Sequence, residues 1–490
     1  MASICLYQSI DNDQLLSVID DTNLKIVFVD SATQLNQLLK LAANSLDTIV
    51  LMKHFDDDID LDLVQSSPIR VMRWASFMIS TEQVNYEQIR PTSESVAMIS
   101  YSSGTTASPK GAIITHRNVC TVAVGVVKWT APVKLCQNDV WFSYLPMAHI
   151  FERVINVALF TVGGQIWLSS GRIENMFAEV KKVKPTIFGS VPSVLQMLYD
   201  KIQIKMTNST LKRMVINHAT ASKRQLLDKG FITNRTVWDK VFLRQFQSLL
   251  GGRVHTWVSG SGVINAAVRG LIREVFGCMI LECYGLTECC GCASATNFAN
   301  YQREDECVGP PQPWNEIKLV PLDDAPFAEV YIRGDNVIRG YVNGDSVKNE
   351  QGWLATGDVG EWMANGTLRI IDRKRDLIRL NNGTMVAPQR TEKIYELHGS
   401  IKQVFIYGSA DFNAIVGVIV PNGDLEELSV INCFAAKHGL SSSERVSGFI
   451  TGNEFTVDNG LLTPTRKLRR NKILDMYKSK LFELLNKINH

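Results

Sequence analysis

No uninterrupted apolar run in this 490-residue sequence reaches the roughly 18 residues that a membrane-spanning helix needs. The longest, Val154–Leu168, is broken by Gly163-Gly164 and reads as two buried core segments. Charge of one sign is missing as well. With 51 basic and 49 acidic residues the net charge is +2, without the strong basic bias of a general nucleic-acid binder. Residues 2–10, ASICLYQSI, have neither the basic start nor the long apolar stretch of a secretory signal. Ten cysteines are spread without a secretory-type framework, so free thiols in a reducing, cytoplasmic compartment are expected. Internal repeats and low-complexity tracts are lacking. What is present is a globular composition, 45% hydrophobic and 20% charged, long enough for two or more domains around a large core.

The pattern along the chain is α/β. Short β-rich runs at Lys25–Asp30, Thr48–Met52 and Val96–Tyr101 alternate with helix-like stretches such as Ala32–Ala43. That alternation predicts largely parallel, covered sheets. From about residue 310 short strands separated by Gly, Asn and Asp turns predict a small β unit. The charged run Asp372–Asp376 then marks a boundary. The expectation is a large N-terminal domain, residues 1–371, and a smaller mobile α+β domain, residues 372–490.

Chemistry first shows in YSSGTTASPKG, residues 101–111. Hydroxyls, small residues and one lysine are what a loop uses to hold a phosphate tail. It is not a Walker A motif, because Gly111 and not Ser or Thr follows Lys110. The following AIIT reads as a strand, with a helix beginning near Thr115, so the loop joins two strands. A plain surface hairpin is the alternative for Ser-Ser-Gly alone.

Four further segments narrow the choice: ECYGLTE (282–288), TGD (356–358), DRKRDLIRLNNG (372–383) and NGLLTPTRKLRR (459–470). In this order they resemble the adenylate-forming ligases, the superfamily of acyl-CoA synthetases, firefly luciferases and peptide-synthetase adenylation domains. YLPMAHIFERV (144–154), GTLRIIDRKRDLIRL (367–380) and FTVDNGLLTPTRK (455–467) resemble the long-chain fatty acyl-CoA synthetases in particular. The resemblance runs from about residue 4 to the end.

The resemblance implies a two-step reaction. A fatty carboxylate and ATP give an acyl-adenylate and pyrophosphate; the thiol of coenzyme A then displaces AMP. Bringing a carboxylate to a polyphosphate requires cations and N–H donors against like-charge repulsion. Ser102, Ser103, Gly104, Thr105, Thr106 and Lys110 would hold the β- and γ-phosphates. Glu288 would bind Mg²⁺, and Thr287 would contact the α-phosphate. Tyr284, followed by Gly285, would stack on adenine, with Gly260 and Ser261 lining the same pocket. Asp358 and Arg373 would hold the ribose hydroxyls. Arg375 falls at the family's hinge, and Arg379 and Gly383 on the face used with coenzyme A. A long-chain fatty acid, ATP and coenzyme A are the implied partners, with peripheral contact to an intracellular membrane such as the endoplasmic reticulum.

Lys467 sits among Arg466, Arg469, Arg470 and Lys472, which on their own read as a solvated basic patch. The preceding LTPT matches the family's mobile lysine, which approaches the α-phosphate and the carboxylate during adenylation. His149 corresponds to a histidine near the acyl carboxylate and is assigned to substrate positioning. Cys278, Cys283, Cys289, Cys290 and Cys292 fall within fifteen residues. Without a second pair or histidines adjacent in sequence they read as core thiols, not a zinc site.

Departures from the family pattern keep alternatives open. Ala107 stands where the family loop has Gly, Ser102 where it has Thr, and Cys283 where it has Gly. The family's N-terminal segment ahead of ICLYQSI is missing, and the stretch between Asn422 and Phe455 is shortened. A truncated, non-catalytic relative that binds nucleotide or acyl chains is one alternative. A ligase for another carboxylic acid is a second. Retention of Lys110, Glu288, Asp358, Arg373 and Lys467 argues for the active enzyme.

Overall fold

A computed structural model describes residues 2–8, 10–41, 45–52, 59–82, 89–101, 110–129, 134–207, 210–262, 264–296, 307–323, 325–463 and 467–489. Two compact units emerge from its internal packing. One comprises Met1–Arg117, Met147–His149 and Ile338–Val347; the other comprises Asn118–Pro146, Ile150–Val337 and Lys348–His490.

The first unit holds two small sheets. Strands Ile26–Val29, Thr48–Leu51 and Arg70–Arg73 pair in parallel. Helices Asn12–Thr22 and Ala32–Leu41 cover them, and Leu35 and Ile49 are fully buried in the shared core. The second sheet joins Ser3–Cys5 in parallel to Val96–Tyr101, which pairs antiparallel with Gly111–Thr115. The expected strand–loop–strand arrangement is therefore present, and the helix His116–Trp129 follows directly. The chain at 338–347 runs beside this sheet, where Ile113 N donates to Gly340 O and Val342 N to Gly111 O.

The second unit is built on a six-stranded sheet in the order Ser294–Ala295, Met279–Tyr284, Thr256–Ser259, Ile187–Ser190, Val140–Ser143, Gln165–Leu168. All pairs are parallel except the first. Central strands such as IFGS and TWVS are buried throughout, as a parallel sheet covered by helices requires. Leu195, Trp257, Ile272 and Phe188 pack its core. The small β unit expected after residue 310 is a four-stranded antiparallel meander, Asn315–Pro321, Ala328–Gly334, Leu354–Trp362 and Leu368–Arg373. The last fifth of the chain adds a three-stranded sheet, Ile401–Tyr407, Val416–Pro421 and Gly448–Thr451, between the helix Pro388–Glu396 and the final helix Arg470–Asn489. The fold class is α/β, as expected.

The reading of Val154–Leu168 needs correction in its second half. The helix Ile150–Val162 is buried on all sides as far as Leu159, but Gln165–Leu168 is the edge strand of the six-stranded sheet. Trp167 and Leu168 are 51% and 79% exposed. A short apolar run does not reveal whether its strand lies at the centre or the edge of a sheet. Among the described residues no helix is long and apolar enough to cross a membrane.

One buried ion pair ties the helices of this unit together. Lys223, on the helix Thr210–Asp228, approaches both carboxylate oxygens of Asp239 at 2.8 and 2.9 Å. Thr236 and Gln247 also donate to that carboxylate, so each buried charge is compensated. Removing one partner strands the other. Asp239→Ala should therefore cost about 3–5 kcal/mol of unfolding free energy. Asp239→Asn, which keeps acceptor capacity, should cost less. Urea midpoints measure both, and an Ala variant within about 1 kcal/mol of the parent would remove this pair from the stabilising contacts.

Candidate active site

The site grows from three places where strands end. The strand Met279–Tyr284 delivers Tyr284 at its C-terminal end and runs into Gly285. A Cβ on Gly285 would lie 2.6 Å from the Gly291 carbonyl carbon, so only glycine lets the returning chain pack here. The following turn, Thr287–Cys289, leaves Thr287 and Glu288 half-buried. In the antiparallel meander Asp358 stands opposite Arg373 in register. The Asp358 carboxylate meets Arg373 Nε at 2.9 Å and accepts the Tyr284 hydroxyl at 2.8 Å.

Asp358 is 3% exposed, and burial pushes its pKa upward. Arg373, the Tyr284 hydroxyl and Lys467 oppose that rise; Glu288 adds to it. Burial likewise raises the Tyr284 hydroxyl, reinforced by the negative Asp358 beside it.

Lys467 reaches the same group from the end of the chain. Leu461–Thr463 and Lys467–Arg469 pair antiparallel as two arms of a hairpin: Thr463 N donates to Lys467 O, Lys467 N to Thr463 Oγ1 and Arg469 N to Leu461 O. The residue as a whole stays exposed, yet the protein around its ammonium lowers its pKa. Arg373 and Lys393 push the same way, and Asp358 pulls back. Tyr284, Asp358, Arg373, Glu288 and Lys467 thus form one electrostatic group within the second unit.

At the end of the strand Thr256–Ser259, Ser259 Oγ is buried without a partner among the described residues. Ser261 holds a left-handed φ of 68° beside half-buried Gly260. A non-glycine residue in that region is a strained conformation that functional sites tend to retain. Arg375 is exposed in the turn Lys374–Asp376, 3.6 Å from Asp376. Arg379 is exposed in the short strand Ile378–Arg379, and Gly383 has a φ of 80° in the hairpin after it.

Two expected residues belong to the first unit. Lys110 lies 3.9 Å from Asp345 and 5.2 Å from the centre of the Tyr341 ring. His149 is half-buried, next to Ala148, whose carbonyl accepts the Ser100 hydroxyl at 3.3 Å. Ser102, Ser103, Gly104, Thr105, Thr106 and Ala107 lie outside the described residues.

The cysteine cluster consists of free thiols. Cys278, Cys289, Cys290 and Cys292 are buried and Cys283 is half-buried. Burial pushes the Cys278 and Cys289 thiols up to about 12, so they pack as neutral core groups. Sequence reasoning missed Arg470 and its acidic partners. Arg470 was grouped with solvated cations, but its side chain is only 17% exposed.

A family model described as AMP-binding enzyme matches residues 1–342. Long-chain-fatty-acid–CoA ligase 5 of Mus musculus is 31% identical over 533 residues, spanning 100% of this chain and 77% of the mouse protein. Long-chain-fatty-acid–CoA ligase 1 of Homo sapiens is 32% identical over 531 residues, spanning 100% and 75%. The chain belongs to the AMP-binding enzymes, with the long-chain-fatty-acid–CoA ligases. Among solved structures, the adenylation domain of a carboxylate reductase from Mycobacterium chelonae shares the fold with TM-score 0.74. It is 20% identical, over 99% of this chain and 76% of that one. The anthranilate CoA ligase AuaEII, solved with anthranoyl-AMP, superposes with TM-score 0.70 at 17% identity, over 98% and 83%.

For a member of this family, the Tyr284 hydroxyl is separable from the Tyr284 ring. Tyr284→Phe keeps the ring and deletes one donor to Asp358. Hydrogen bonds to charged groups contribute about 1.5–3 kcal/mol, so if Asp358 holds the nucleotide, AMP affinity should fall by up to about tenfold near neutrality. Losing a donor to the ionised form raises the Asp358 pKa further. The acid limb of AMP binding should therefore move to higher pH. Calorimetric titration across pH 5–8 measures both, and unchanged affinity with an unmoved limb would separate this bond from nucleotide binding.

Proposed function

We propose that the group around Asp358 is the adenylation centre of this chain, with Lys467 as its catalytic lysine. The chain is an ATP-dependent, AMP-forming long-chain-fatty-acid–CoA ligase. It converts a fatty acid, ATP and coenzyme A to acyl-CoA, AMP and pyrophosphate. The observation that carries the site assignment is the meeting of the Tyr284 hydroxyl and Arg373 on the buried Asp358 carboxylate, within the electrostatic reach of Lys467.

The first half-reaction forms a bond between the fatty carboxylate oxygen and the α-phosphorus and breaks the bond to pyrophosphate. Both reactants are anions, so positive charge must be in place before they meet. Lys467, its pKa lowered by burial and then by nearby cations, gains further favourable Coulomb energy when an anion arrives. Asp358 and Arg373 would grip the ribose hydroxyls, and the Tyr284 ring would cover adenine, with Gly285, Gly260 and Ser261 lining the pocket. Ser102, Ser103, Gly104, Thr105, Thr106 and Lys110 would hold the outer phosphates. His149 would position the acyl carboxylate. The carboxylate of Glu288 fits a hard cation, and Thr287 would contact the α-phosphate. Magnesium is commonly held by one or two carboxylates plus the substrate's own phosphates. Bound there, Mg²⁺ would neutralise the charge on the leaving pyrophosphate.

The second half-reaction forms the thioester and releases AMP. We assign Arg379 and Gly383 to it, on a domain beginning at residue 372 with Arg375 at the hinge. The φ of 80° at Gly383 is open only to glycine without strain, and a Cβ there would meet nothing within 4 Å. Peripheral contact with an intracellular membrane from the cytoplasmic side belongs to the same reading, since the substrate is a lipid.

Fatty-acid-dependent ATP–pyrophosphate exchange tests adenylation, and supplied acyl-adenylate plus coenzyme A tests thiolysis. Lys467→Ala should abolish the first, by about 10²-fold or more, and spare the second. Gly383→Val should do the reverse. Equal loss of both half-reactions in both folded variants would overturn the division, and nucleotide binding without any exchange in the parent would favour the non-catalytic reading.

A further inference from the structure

Lys467 makes no ion pair among the described residues, yet the base of its hairpin is heavily anchored. Arg470 opens the final helix three residues later. Its Nη2 donates to Glu392, its Nε lies 3.8 Å from Asp376, and its guanidinium stands 5.6 Å over the Phe405 ring. Burial works against the charge, but Glu392, Asp372 and Asp376 outweigh it and raise the pKa above the usual arginine value. Arg470 is therefore a permanent cation in a closed acidic socket.

Glu392 faces two ways. One oxygen takes Arg470 and the other accepts Ile406 N at 2.8 Å, which joins the helix Pro388–Glu396 to the strand Ile401–Tyr407. The start of that helix is held by a residue from outside it. Asp372 Oδ2 accepts Gln389 N at 2.7 Å, while Oδ1 accepts Arg373 N at 2.7 Å. Asp372 is 2% exposed, and burial pushes its carboxyl up to about 7, against Arg470 and the two N–H donors. Arg373, the next residue, holds Asp358. Its other neighbour, Lys374, reaches Glu329 at 2.7 Å, and Glu329 in turn accepts Gly357 N just before Asp358. A continuous path of bonds thus runs from Asp358 through Arg373 and Asp372, along the helix to Glu392, and through Arg470 to the hairpin that bears Lys467.

We propose that Arg470 and Asp372 are positioning residues for adenylation, fixing the Lys467 hairpin against the Asp358–Arg373 pair through Glu392 and the helix Pro388–Glu396. This rests on the reading of Lys467 as the adenylation lysine. Neither residue touches substrate. Arg470 sets where the hairpin begins, and Asp372 sets where the helix that holds Arg470 begins. A displacement of about 1 Å at a reacting group costs on the order of 10²-fold in rate, so a loosened anchor should register in kcat.

The test uses the full chain and both half-reactions, with the parent and Lys467→Ala as references. Arg470→Lys keeps the charge but loses the two-armed guanidinium. It should lower kcat for ATP–pyrophosphate exchange by about tenfold and leave the KM for ATP and the thiolysis rate within about twofold. Asp372→Ala should produce the same split, and Asp372→Asn, which retains an acceptor for Gln389, should recover most of the loss. Exchange at parental rate in Arg470→Lys and Asp372→Ala, with Lys467→Ala inactive, would overturn this inference alone. So would equal loss of both half-reactions in step with melting temperature, which is the signature of general destabilisation. Absence of exchange in the parent would overturn the adenylation reading and the inference with it.

Discussion

Asp358 must stay ionised in a place where burial favours its neutral form. That single requirement organises the site. A carboxylate 3% exposed would take up a proton unless positive groups were fixed beside it. Arg373 supplies the nearest charge, from the neighbouring strand and in register. Two strands of one ladder hold such a pair more firmly than two loops could, because backbone hydrogen bonds fix both Cα positions. Tyr284 closes the carboxylate from a different sheet, tying the C-terminal end of the parallel strand Met279–Tyr284 to the meander. A buried pair of this kind adds little net stability, but breaking it leaves an uncompensated charge. The parallel sheet and the meander are thereby obliged to meet in one way.

Residues marked by local chemistry were legible in the sequence as candidates. Tyr284 before a glycine turn, Asp358 after one and Arg373 in a charged run are brought into contact with one another. The strand–loop–strand around Lys110 followed from β-rich runs on each side of a Ser/Thr/Gly tract. Residues whose role depends on distant partners were not legible. Five cations lie within 466–472, and nothing local separates Arg470 from the rest. Its burial is decided by Glu392, 78 positions earlier, and by Asp376. Asp372 read as one charge of a boundary run; its partners are the backbone N–H groups of Arg373 and of Gln389, seventeen positions on. Trp167 and Leu168 failed for a related reason, since strand order cannot be read from a tetrapeptide.

The cysteine cluster shows the same limit resolved in the other direction. Five thiols within fifteen residues invite a metal reading. Around the turn Thr287–Cys289 the chain doubles back so closely that small side chains are required, as the Gly285–Gly291 approach shows. Cysteine is among the few residues both small and apolar enough to fill such space. Cys290 even adopts a φ of 57°, ending the turn where glycine would be usual. The cluster is what tight packing beside Tyr284 demands.

The charges around Lys467 connect its placement to substrate binding. Burial opposes its charge most, Arg373 and Lys393 add to that, and Asp358 favours it. Holding a charged Lys467 there is therefore electrostatically uphill. The socket around Arg470 supplies the opposing mechanical constraint, keeping the hairpin in place despite the repulsion. An anionic substrate reverses the balance by adding the missing negative charge. By linkage, whatever raises the affinity of Lys467 for its proton on binding the anion must equally raise the affinity of the protonated site for the anion. A lysine held among cations is thus a site whose positive charge is conditional on its substrate. The lysine must be held near Asp358 by bonds that do not depend on its own charge, which is the part taken by Glu392, Arg470 and Asp372.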